Sequence, residues 1–538
     1  MQNTGKYYIT KKWEAMKILL VRPPSIYKDN LHGFQLDLPL GIMYISGALE
    51  ERGYSVEILD SRIDLNQKYL LNTYANRNKT NIIWEAISKE IKRRKPDVVG
   101  ITNQFTSQFQ SAVKFAEIVK KTNNRILTVV GGTHATSLPT SFLEYSQDID
   151  IVVCGEGEYV MSELLECYRK NQDYSLVKNI AYRKNGKIIL NDRGDFINDL
   201  DKLPFPAYHL VNLEKYFSAE KLGFSVRGRY NYPGAERAIP MITSRGCPYG
   251  CIFCSIHLHM GRKWRTHSTD YVFRHIEYVK NKYRVNHIHF EDDNINFDIK
   301  SFSFLIECLL RLNLTWDTPN GLRADKLDKE LLIRCKESGC TYLIIGVESA
   351  VPRVLNKIIK KRLDLKSVVR VAKLCKEVGL DLRAFYVIGL PGETKQEIKR
   401  TTDFALMLLH KYNTFPHMHV AYPHIGTELY QICQEKGHLI EKLNPDTFEK
   451  VISGVRLIQT EDFSIKDIEN IHSDYHHRFA KIIRLKLIEK LLRHPFEFLT
   501  YLKKILINPF DRNRITEDFV AFFNCQKRRI GKNARKKS

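Results

Sequence analysis

The sequence predicts an α/β protein in which a doubly wound, Rossmann-like domain precedes a partial (β/α)6 barrel of the TIM type and a helical C-terminal segment. Short apolar strands alternate with amphipathic helices over residues 16–171, and a strand-then-helix unit recurs six times from residue 238. Such alternation is typical of parallel sheets covered by helices. A third observation locates the chemistry: the loop SRGCPYGCIFCSIH directly follows the first predicted barrel strand, AIPMITS.

Composition bounds the class of protein. A chain of 538 residues suggests two to four domains, its apolar content of 43% is ordinary, and no apolar run approaches a membrane span. The first twenty residues lack a signal-peptide pattern, and eleven cysteines without framework spacing predict a reducing cytoplasm. The net charge is +23, and part of it lies in the basic tail QKRRIGKNARKKS. We interpret this excess mainly as solubility rather than nucleic-acid binding.

The first predicted domain, residues 1–171, ends its strands in small polar loops. Its predicted strands are MKILLVRPP, VEILDS, DVVGITNQ, ILTVVGG and DIVVCG, and its helices include NIIWEAISKEIKRRK and FQSAVKFAEIVKK. Ligands of such sheets bind beyond the carboxyl ends of the strands. The loops expected there are VGGTHATSLP and CGEGE.

Residues 172–237 are predicted to be a connector, with a small hairpin turning at Asn185-Gly186 and a proline-punctuated linker. The barrel is predicted over residues 238–435, with the strands AIPMITS, HIHFEDD, PNGLRAD, YLIIGVES, LRAFYVIGLP and HMHVAYP. Because active sites of such barrels lie at the carboxyl ends of strands, clustered polar ends predict a site. The polar residues are Glu291, Asp292, Asp293, Asn294, Arg323, Asp325, Glu348 and Ser349, with Arg383 early in the fifth strand.

The cysteine loop has the spacing Cys-x3-Cys-x2-Cys, formed by Cys247, Cys251 and Cys254. Thiolates bind soft metals and iron–sulfur clusters, and three of them leave one iron of a cubane cluster without a protein ligand. The alternative is a zinc knuckle formed by the two cysteines at x2 spacing, Cys251 and Cys254, with His257 and His259, since structural zinc takes four Cys or His ligands. The eight scattered cysteines are expected to be small buried apolar residues.

Residues 238–435 resemble the radical S-adenosylmethionine (SAM) superfamily. The resemblance implies that Cys247, Cys251 and Cys254 hold a [4Fe–4S] cluster whose open iron binds SAM. It further implies that FEDDN contacts the methionine amino group and that IGLPGE lies beside adenine. The implied SAM-binding residues are Phe253, Glu291, Asp292, Asp293, Glu348, Ser349, Arg383 and Gly389.

Residues 16–171 resemble the cobalamin-binding domain family through PLGIMYISGALEERGYSVEILDS, VVGITNQFTS, VVGGTHAT and VVCGEGE. The resemblance implies cobalamin-binding roles for Thr102, Asn103, Gln104, Gly131, Gly132, Thr133, His134, Gly155 and Glu156. The chain departs from the family's Asp-x-His-x-x-Gly motif, because Asp29 and His32 are misspaced. The lower axial position of cobalt is therefore expected to lack this histidine.

Together the two resemblances imply a cobalamin-dependent radical SAM methyltransferase acting on an unactivated carbon, or on a phosphinate phosphorus, of a small-molecule, lipid or peptide substrate. The alternatives are a radical SAM cyclase of the anaerobic porphyrin type and a non-catalytic cobalamin or redox sensor. Methylthiolation of transfer RNA is disfavoured, because that class needs an N-terminal cluster and no cysteine precedes Cys154. The expected electron donor is a flavodoxin or ferredoxin.

The C-terminal segment, residues 436–538, mixes apolar and basic residues at helical spacing. The pattern favours a helical cap on the barrel, with a basic tail. Its alternative is a membrane-surface helix, which would give peripheral contact at the inner membrane face.

Overall fold

The computed structural model describes residues 16–24, 35–65, 80–219, 225–226, 236–448 and 455–493. The chain forms two compact units. The first contains the chain up to Ala219 together with two later segments, Ser255–Gly261 and Lys442–Ile452, and the second contains the remainder. Among the described helices, none combines the length and apolar character that a membrane crossing requires.

A seven-stranded sheet forms the centre of the first unit. In spatial order its strands are Ser55–Asp60, Lys17–Arg22, Val98–Thr102, Leu127–Gly131, Ile151–Val153, Ile180–Lys184 and Lys187–Leu190. The first five are parallel and the last two antiparallel. The strand order reverses direction between Lys17–Arg22 and Val98–Thr102, and ligands of doubly wound sheets bind at this switch point.

The two helices quoted in the sequence analysis are present as Thr80–Arg94 and Phe109–Thr122, whereas Thr133–Ser137 lies in the segment VGGTHATSLP that was predicted as a loop. Helices cover the sheet. They are Leu40–Glu50, Thr80–Arg94, Phe109–Thr122, Thr133–Ser137, Ser141–Tyr145, Gly157–Arg169 and Leu213–Phe217, with Ile256–His259 from the later segment. The strands are buried as parallel strands between two helical layers should be: Val98, Val99 and Val130 are fully buried.

The predicted hairpin is present and belongs to the sheet. Asn185 and Gly186 have φ values of +52° and +75°, as a two-residue turn of type I′ requires. The strand Ile180–Lys184 pairs with Ile151–Val153, so this part of the predicted connector extends the sheet by two strands.

The second unit contains six parallel strands in two groups of three. The first group is Ala238–Met241, His287–Phe290 and Thr315–Asp317, and the second is Leu343–Glu348, Leu382–Ile388 and Phe415–Val420. Isolated parallel bridges join Trp316 to Cys340 and Leu322 to Ile345. A short antiparallel pair, Ser244–Arg245 with Arg265–Thr266, follows the first strand, and Ser225–Val226 is a further short strand of this unit. The short strand Gln35–Leu36 belongs to the first unit.

The third barrel strand is not where the sequence analysis placed it. PNGLRAD was predicted as the strand, whereas Thr315–Asp317 makes the ladder and only Leu322 of PNGLRAD forms a bridge. Pro319 lacks an N–H to donate, and Gly321 has a φ of +94°, so the chain turns there instead of pairing.

Side-chain caps set the starts of the barrel helices. Ser268, Asp298, Asp328, Asp364, Thr394 and Thr427 each accept a hydrogen bond from a first-turn N–H. The helices of this unit are Thr269–Tyr283, Ile299–Leu312, Lys329–Glu337, Leu365–Val378, Lys395–Tyr412, Glu428–Glu435 and Ile465–Arg493. The predicted basic tail lies outside the described residues.

Candidate cofactor site

The cysteine loop of the second unit presents three half-buried thiols, none of them in a disulfide. The N–H of Cys254 donates to the carbonyl of Cys251 at 3.0 Å, which curls the backbone between them. Within the described ranges, the one group of three potential metal ligands whose atoms all lie within 4.8 Å of one another is His287, His289 and Asp317. The three sulfurs of the cysteine loop are therefore spaced more widely than this. Ligands of a single zinc ion would have to be that close, whereas the corners of a cubane cluster are wider apart.

Asp292 and Asp293 accept hydrogen bonds from the backbone that leads into the cysteine loop. The buried Asp292 carboxylate accepts from the N–H and hydroxyl of Thr243 and of Ser244, at 2.6–3.2 Å. Asp293 accepts from the N–H of Gly246 at 2.8 Å. Burial raises the pKa of both carboxyls to about 6, against the effect of these hydrogen bonds.

The next residue of FEDDN also acts on the loop. The side-chain amide of Asn294 donates to Sγ of Cys247 at 3.8 Å, and hydrogen bonds to cluster sulfurs are one means by which proteins set cluster potentials. Glu291 is half-buried, and its N–H donates to Met241 at 2.9 Å. The direct contacts of Glu291, Asp292 and Asp293 with SAM stay predictions.

Glu348 occupies a strained position at the end of its strand. Its φ is +64°, and the pairing register shifts between Gly346 and Glu348. Backbone strain of this kind is concentrated at functional sites. Oε1 of Glu348 accepts from Nζ of Lys361 at 2.8 Å, and both side chains are at least 88% buried.

Lys361 brings a positive charge to the cysteine loop. Burial works to lower its pKa, but Glu348 and Cys251 outweigh burial, so the pKa of Lys361 is raised. Burial raises the pKa of the Cys251 thiol, and the strongest opposing influence on that thiol is Lys361. The neighbouring Ser349 hydroxyl lies 3.2 Å from Oγ1 of Thr401, so its predicted contact with SAM stays a prediction.

Arg323 packs against the aromatic ring of Tyr249 in the cysteine loop. Its guanidinium lies 3.9 Å from the ring centre of Tyr249, within the cysteine loop. Arg323 also donates twice to Asp325, at 2.9 Å each, and to the carbonyl oxygens of Lys361 and Arg362. The sequence analysis missed Tyr249 and Lys361. Tyr249 stands inside a recognised motif and could have been included.

The segment IGLPGE packs against Phe253 of the cysteine loop, and both were predicted to bind SAM. Phe253 packs on the cluster that contains Ile388 and Leu390. Gly389 has a φ of +82°, and the buried Glu393 accepts from the N–H of Leu390 at 2.8 Å. Burial raises the pKa of Glu393 to about 8, against hydrogen bonds from Leu390 and Gly389.

Arg383 lies elsewhere in the barrel. It is the second residue of Leu382–Ile388, at the amino end of that strand, and its guanidinium stacks 4.0 Å from the ring centre of Tyr342. Its predicted role in cofactor binding stays a prediction.

In the first unit, the loops that follow two neighbouring strands, Val98–Thr102 and Leu127–Gly131, are hydrogen-bonded to each other. The N–H of Asn103 donates to Gly131 at 2.7 Å, and Thr133 donates its hydroxyl proton to the carbonyl of Gln104. Gly132 has a φ of +118°, and a Cβ there would lie 2.4 Å from the Asn103 carbonyl oxygen. Only glycine fits this approach.

The side chain of Asn103 is fully buried, yet neither of its amide atoms has a hydrogen-bond partner in the described part of the chain. Buried polar atoms are normally satisfied. The unpaired amide and the glycine cradle therefore fit a polar ligand such as cobalamin at these strand ends. Thr102 is half-buried and Gln104 exposed beside it.

His134 is enclosed by protein. Its Nδ1 lies 3.1 Å from Oγ1 of Thr106 and its Nε2 lies 3.3 Å from Oγ of Ser141. Aromatic rings of Phe109, Phe142 and Phe448 surround the imidazole, and burial lowers its pKa to about 4. Both ring nitrogens are thus engaged within the protein, as in a structural loop histidine.

The CGEGE loop is similarly tied to its neighbours. The N–H of Gly155 donates to Oγ1 of Thr136 at 2.8 Å, and Glu156 accepts from the N–H of Ile197 at 2.7 Å. Contacts of Gly155 and Glu156 with cobalamin stay predictions. The misspaced pair Asp29 and His32 lies outside the described residues.

Two family models match the chain: a B12 binding domain over residues 37–165 and the radical SAM superfamily over residues 241–405. An uncharacterized methyltransferase of Pyrococcus horikoshii is 30% identical over 78% of this chain and 83% of its own length. The cytidylyl-2-hydroxyethylphosphonate methyltransferase of Streptomyces wedmorensis is 28% identical over 78% of this chain and 82% of its own length.

An anaerobic magnesium-protoporphyrin IX monomethyl ester cyclase of Cereibacter sphaeroides is 25% identical over 72% of this chain and 60% of its own length. Among solved structures, the cobalamin-dependent SAM radical enzyme OxsB, with aqua-cobalamin and SAM bound, has a TM-score of 0.64 at 16% identity. That match covers 97% of this chain and 80% of OxsB, and it supports the fold. The cofactors of the family are cobalamin, a [4Fe–4S] cluster and SAM, and the thiols, the glycine cradle and the unpaired Asn103 amide fit them. The chain therefore belongs to the cobalamin-binding radical SAM enzymes.

Proposed function

We propose that this enzyme is a methyltransferase that acts on an unactivated carbon, or a phosphinate phosphorus, of a small molecule. The observation that supports the proposal most strongly is that two methyltransferases align with more than four fifths of their own length. Such coverage includes both cofactor domains rather than one. The substrate after which the Streptomyces wedmorensis relative is named makes nucleotide-linked phosphonates the first substrates to test.

The cofactors supply a carbon radical from SAM and a methyl group carried by cobalamin. The residues of this chain would hold and orient them. Cys247, Cys251 and Cys254 would bind the cluster, and the carboxylates of Asp292 and Asp293 keep the loop backbone in place. Lys361 and Glu348 would form a charged boundary of the SAM site, and Asn103 would offer its amide to cobalamin.

The proposal extends to the surroundings of the enzyme. A flavodoxin or ferredoxin would deliver the electron, and the cytoplasm would keep the cluster reduced. Leu485, Ile488 and Leu492 are exposed on the helix Ile465–Arg493, which is compatible with peripheral membrane contact if the substrate is a lipid.

The deciding experiment is anaerobic turnover with SAM that carries a trideuteromethyl group. A methyltransferase must add the CD3 group to its product and yield S-adenosylhomocysteine and 5′-deoxyadenosine in nearly equal amounts. Candidate substrates would include cytidylyl-2-hydroxyethylphosphonate. Product that lacks the label would overturn the proposal.

A cyclase is the second candidate, because cyclases are among the relatives that align with both domains. It should yield 5′-deoxyadenosine with little S-adenosylhomocysteine. A sensor, the non-catalytic alternative, should yield neither product under the same conditions.

A further inference from the structure

A pair of histidines lies on the inner face of the barrel. Phe290 contacts Trp316, and Trp316 contacts Phe302 of the helix Ile299–Leu312, with ring centres 6.1 Å apart in both cases. Phe290 and Trp316 therefore face the helical layer. Since side chains alternate along a strand, His287 and His289 point the opposite way, toward the barrel interior.

Asp317 holds both histidines from the neighbouring strand. It is paired in register with His289, and its carboxylate lies 2.9 Å from Nδ1 of His289 and 3.0 Å from Nε2 of His287. Burial alone would raise the pKa of Asp317, but the two histidines lower it to about 2. The carboxylate is thus ionised, and it accepts an N–H from each ring.

This arrangement is a hydrogen-bond network rather than a metal site. The ring N–H groups are directed at the carboxylate oxygens, whereas metal ligands would direct their lone pairs at a common point. His287 is satisfied on its other side by Thr315, with Nδ1 2.7 Å from Oγ1.

His289 differs from His287 at its second nitrogen. His289 is 4% exposed, and its Nε2 has no hydrogen-bond partner within the described ranges. In the tautomer whose Nδ1–H donates to Asp317, Nε2 carries a lone pair and can only accept. A buried acceptor that faces the barrel interior is costly unless something donates to it.

The opposite side of the barrel also presents polar groups to this interior. Phe385 lies against Gly321, in the loop that follows Asp317, and its ring is flanked by His417 and His419. Nε2 of His417 is likewise buried without a partner in the part of the chain that the structure describes. The inner face is therefore suited to a polar molecule rather than to a purely hydrocarbon one.

We propose that Nε2 of His289 accepts a hydrogen bond from a hydroxyl or N–H group of the small-molecule substrate, which makes His289 a specificity-determining residue oriented by Asp317. The inference rests on the proposed function, since it assumes that a substrate enters this barrel.

The test compares two probes on the reconstituted holoenzyme by calorimetry: cytidylyl-2-hydroxyethylphosphonate and its deoxy analogue, cytidylyl-ethylphosphonate. The wild type should bind the hydroxyl probe about tenfold more tightly, as one satisfied hydrogen bond provides. His289→Asn keeps an amide where Nδ1 stood but removes Nε2, and it should abolish the preference. His289→Gln places a carbonyl oxygen near the position of Nε2 and should restore part of it.

His287→Asn is the matched control, because both nitrogens of His287 are already satisfied within the protein, and it should keep the preference. Iron and cobalamin bound per chain should be the same in His289→Asn and wild type, which shows that the variant keeps its fold. The inference is wrong if wild type binds neither probe or both equally, or if His289→Asn keeps the preference. It is equally wrong if the purified enzyme holds a divalent metal that Asp317→Asn loses.

The two proposals can fail separately. A His289-dependent preference without CD3 transfer would remove the methyltransferase and keep the binding role. CD3 transfer with a preference that does not depend on His289 would keep the methyltransferase and remove the binding role.

Discussion

Nζ of Lys361 lies 2.8 Å from Oε1 of Glu348, and this pair links a strained strand end to the cysteine loop. Glu348 has a positive φ, and Lys361 lies between Lys360 and Arg362, which have positive φ as well. Two irregular segments thus meet at one ion pair. Cys251 contributes, with Glu348, to raising the pKa of Lys361. In the proposed enzyme, the pair would couple the SAM site to the cluster site.

We expect Lys361→Met to weaken SAM binding about tenfold or more while the iron content stays close to that of wild type. Removal of one partner from a buried ion pair leaves the other charge uncompensated, at a typical cost of about 3–5 kcal/mol. Equilibrium dialysis of SAM against the reconstituted enzyme measures the effect.

Lys360→Met is the matched control for this variant. Lys360 pairs with Glu428, but both side chains are more than 40% exposed. Exposed pairs contribute about 0–1 kcal/mol, so the control should change SAM affinity less than about fivefold. Equal losses in both variants would contradict a special role for the Lys361–Glu348 pair.

Each of the substitutions Cys247→Ala, Cys251→Ala and Cys254→Ala should remove most of the cluster iron and sulfide, because each thiolate would hold one corner of the cubane. Iron and acid-labile sulfide per chain are the measurement. Cys335→Ala is the control: Cys335 is fully buried and packed as an apolar residue, so this variant should keep the cluster. Stoichiometric zinc in the wild type would revive the knuckle and exclude the cluster.

The features of the fold and of the cysteine site that could be predicted from the sequence are those that depend on neighbouring residues in the chain. The Cys-x3-Cys-x2-Cys spacing lies within a single loop, and the Asn185-Gly186 turn needs two residues that tolerate positive φ. FEDDN was predicted to be functional, but the sequence could not show that Asp292 would accept hydrogen bonds from Thr243 and Ser244, 49 and 48 positions earlier.

The parts that were missed depend on contacts across the fold. Lys361 belongs to no recognisable sequence motif. Its ion pair with Glu348 forms only when the chain folds. The third barrel strand was placed on PNGLRAD, whereas the strand is the shorter segment Thr315–Asp317, which lies directly after the helix Ile299–Leu312. Its buried Trp316 packs on Phe290 and Phe302, a contact across the fold that the sequence does not show.

Bound cob(II)alamin should show no nitrogen superhyperfine splitting from His134 in its electron paramagnetic resonance spectrum. Both nitrogens of His134 are engaged by Thr106 and Ser141, so neither is directed at a ligand. His134→Ala should leave the spectrum unchanged and lower the melting temperature, because it removes a buried ring that packs against three phenylalanines. A nitrogen triplet in wild type that vanishes in the variant would contradict this prediction.

The stability difference between Glu393→Gln and wild type should grow in favour of the variant as the pH rises from about 4.5 to about 8. Burial raises the pKa of Glu393 to about 8, so the folded state keeps a proton that the unfolded chain releases near the usual glutamate value. The stabilisation is therefore complete below the unfolded pKa and is lost as the pH rises through the folded one. Glutamine cannot ionise, yet its carbonyl can still accept from the N–H of Leu390.

Urea midpoints of wild type and variant at pH 5, 7 and 9 measure this slope. Glu397→Gln, one turn later, is a control of opposite sign, because the hydrogen bond from Arg353 lowers the pKa of Glu397 to about 2. The stabilisation by Glu397 is present above the unfolded pKa and is lost only as the pH falls toward 2. Its replacement should destabilise the enzyme by a nearly constant amount between pH 5 and 9. Parallel curves for wild type and Glu393→Gln would mean that Glu393 is already ionised in the folded enzyme.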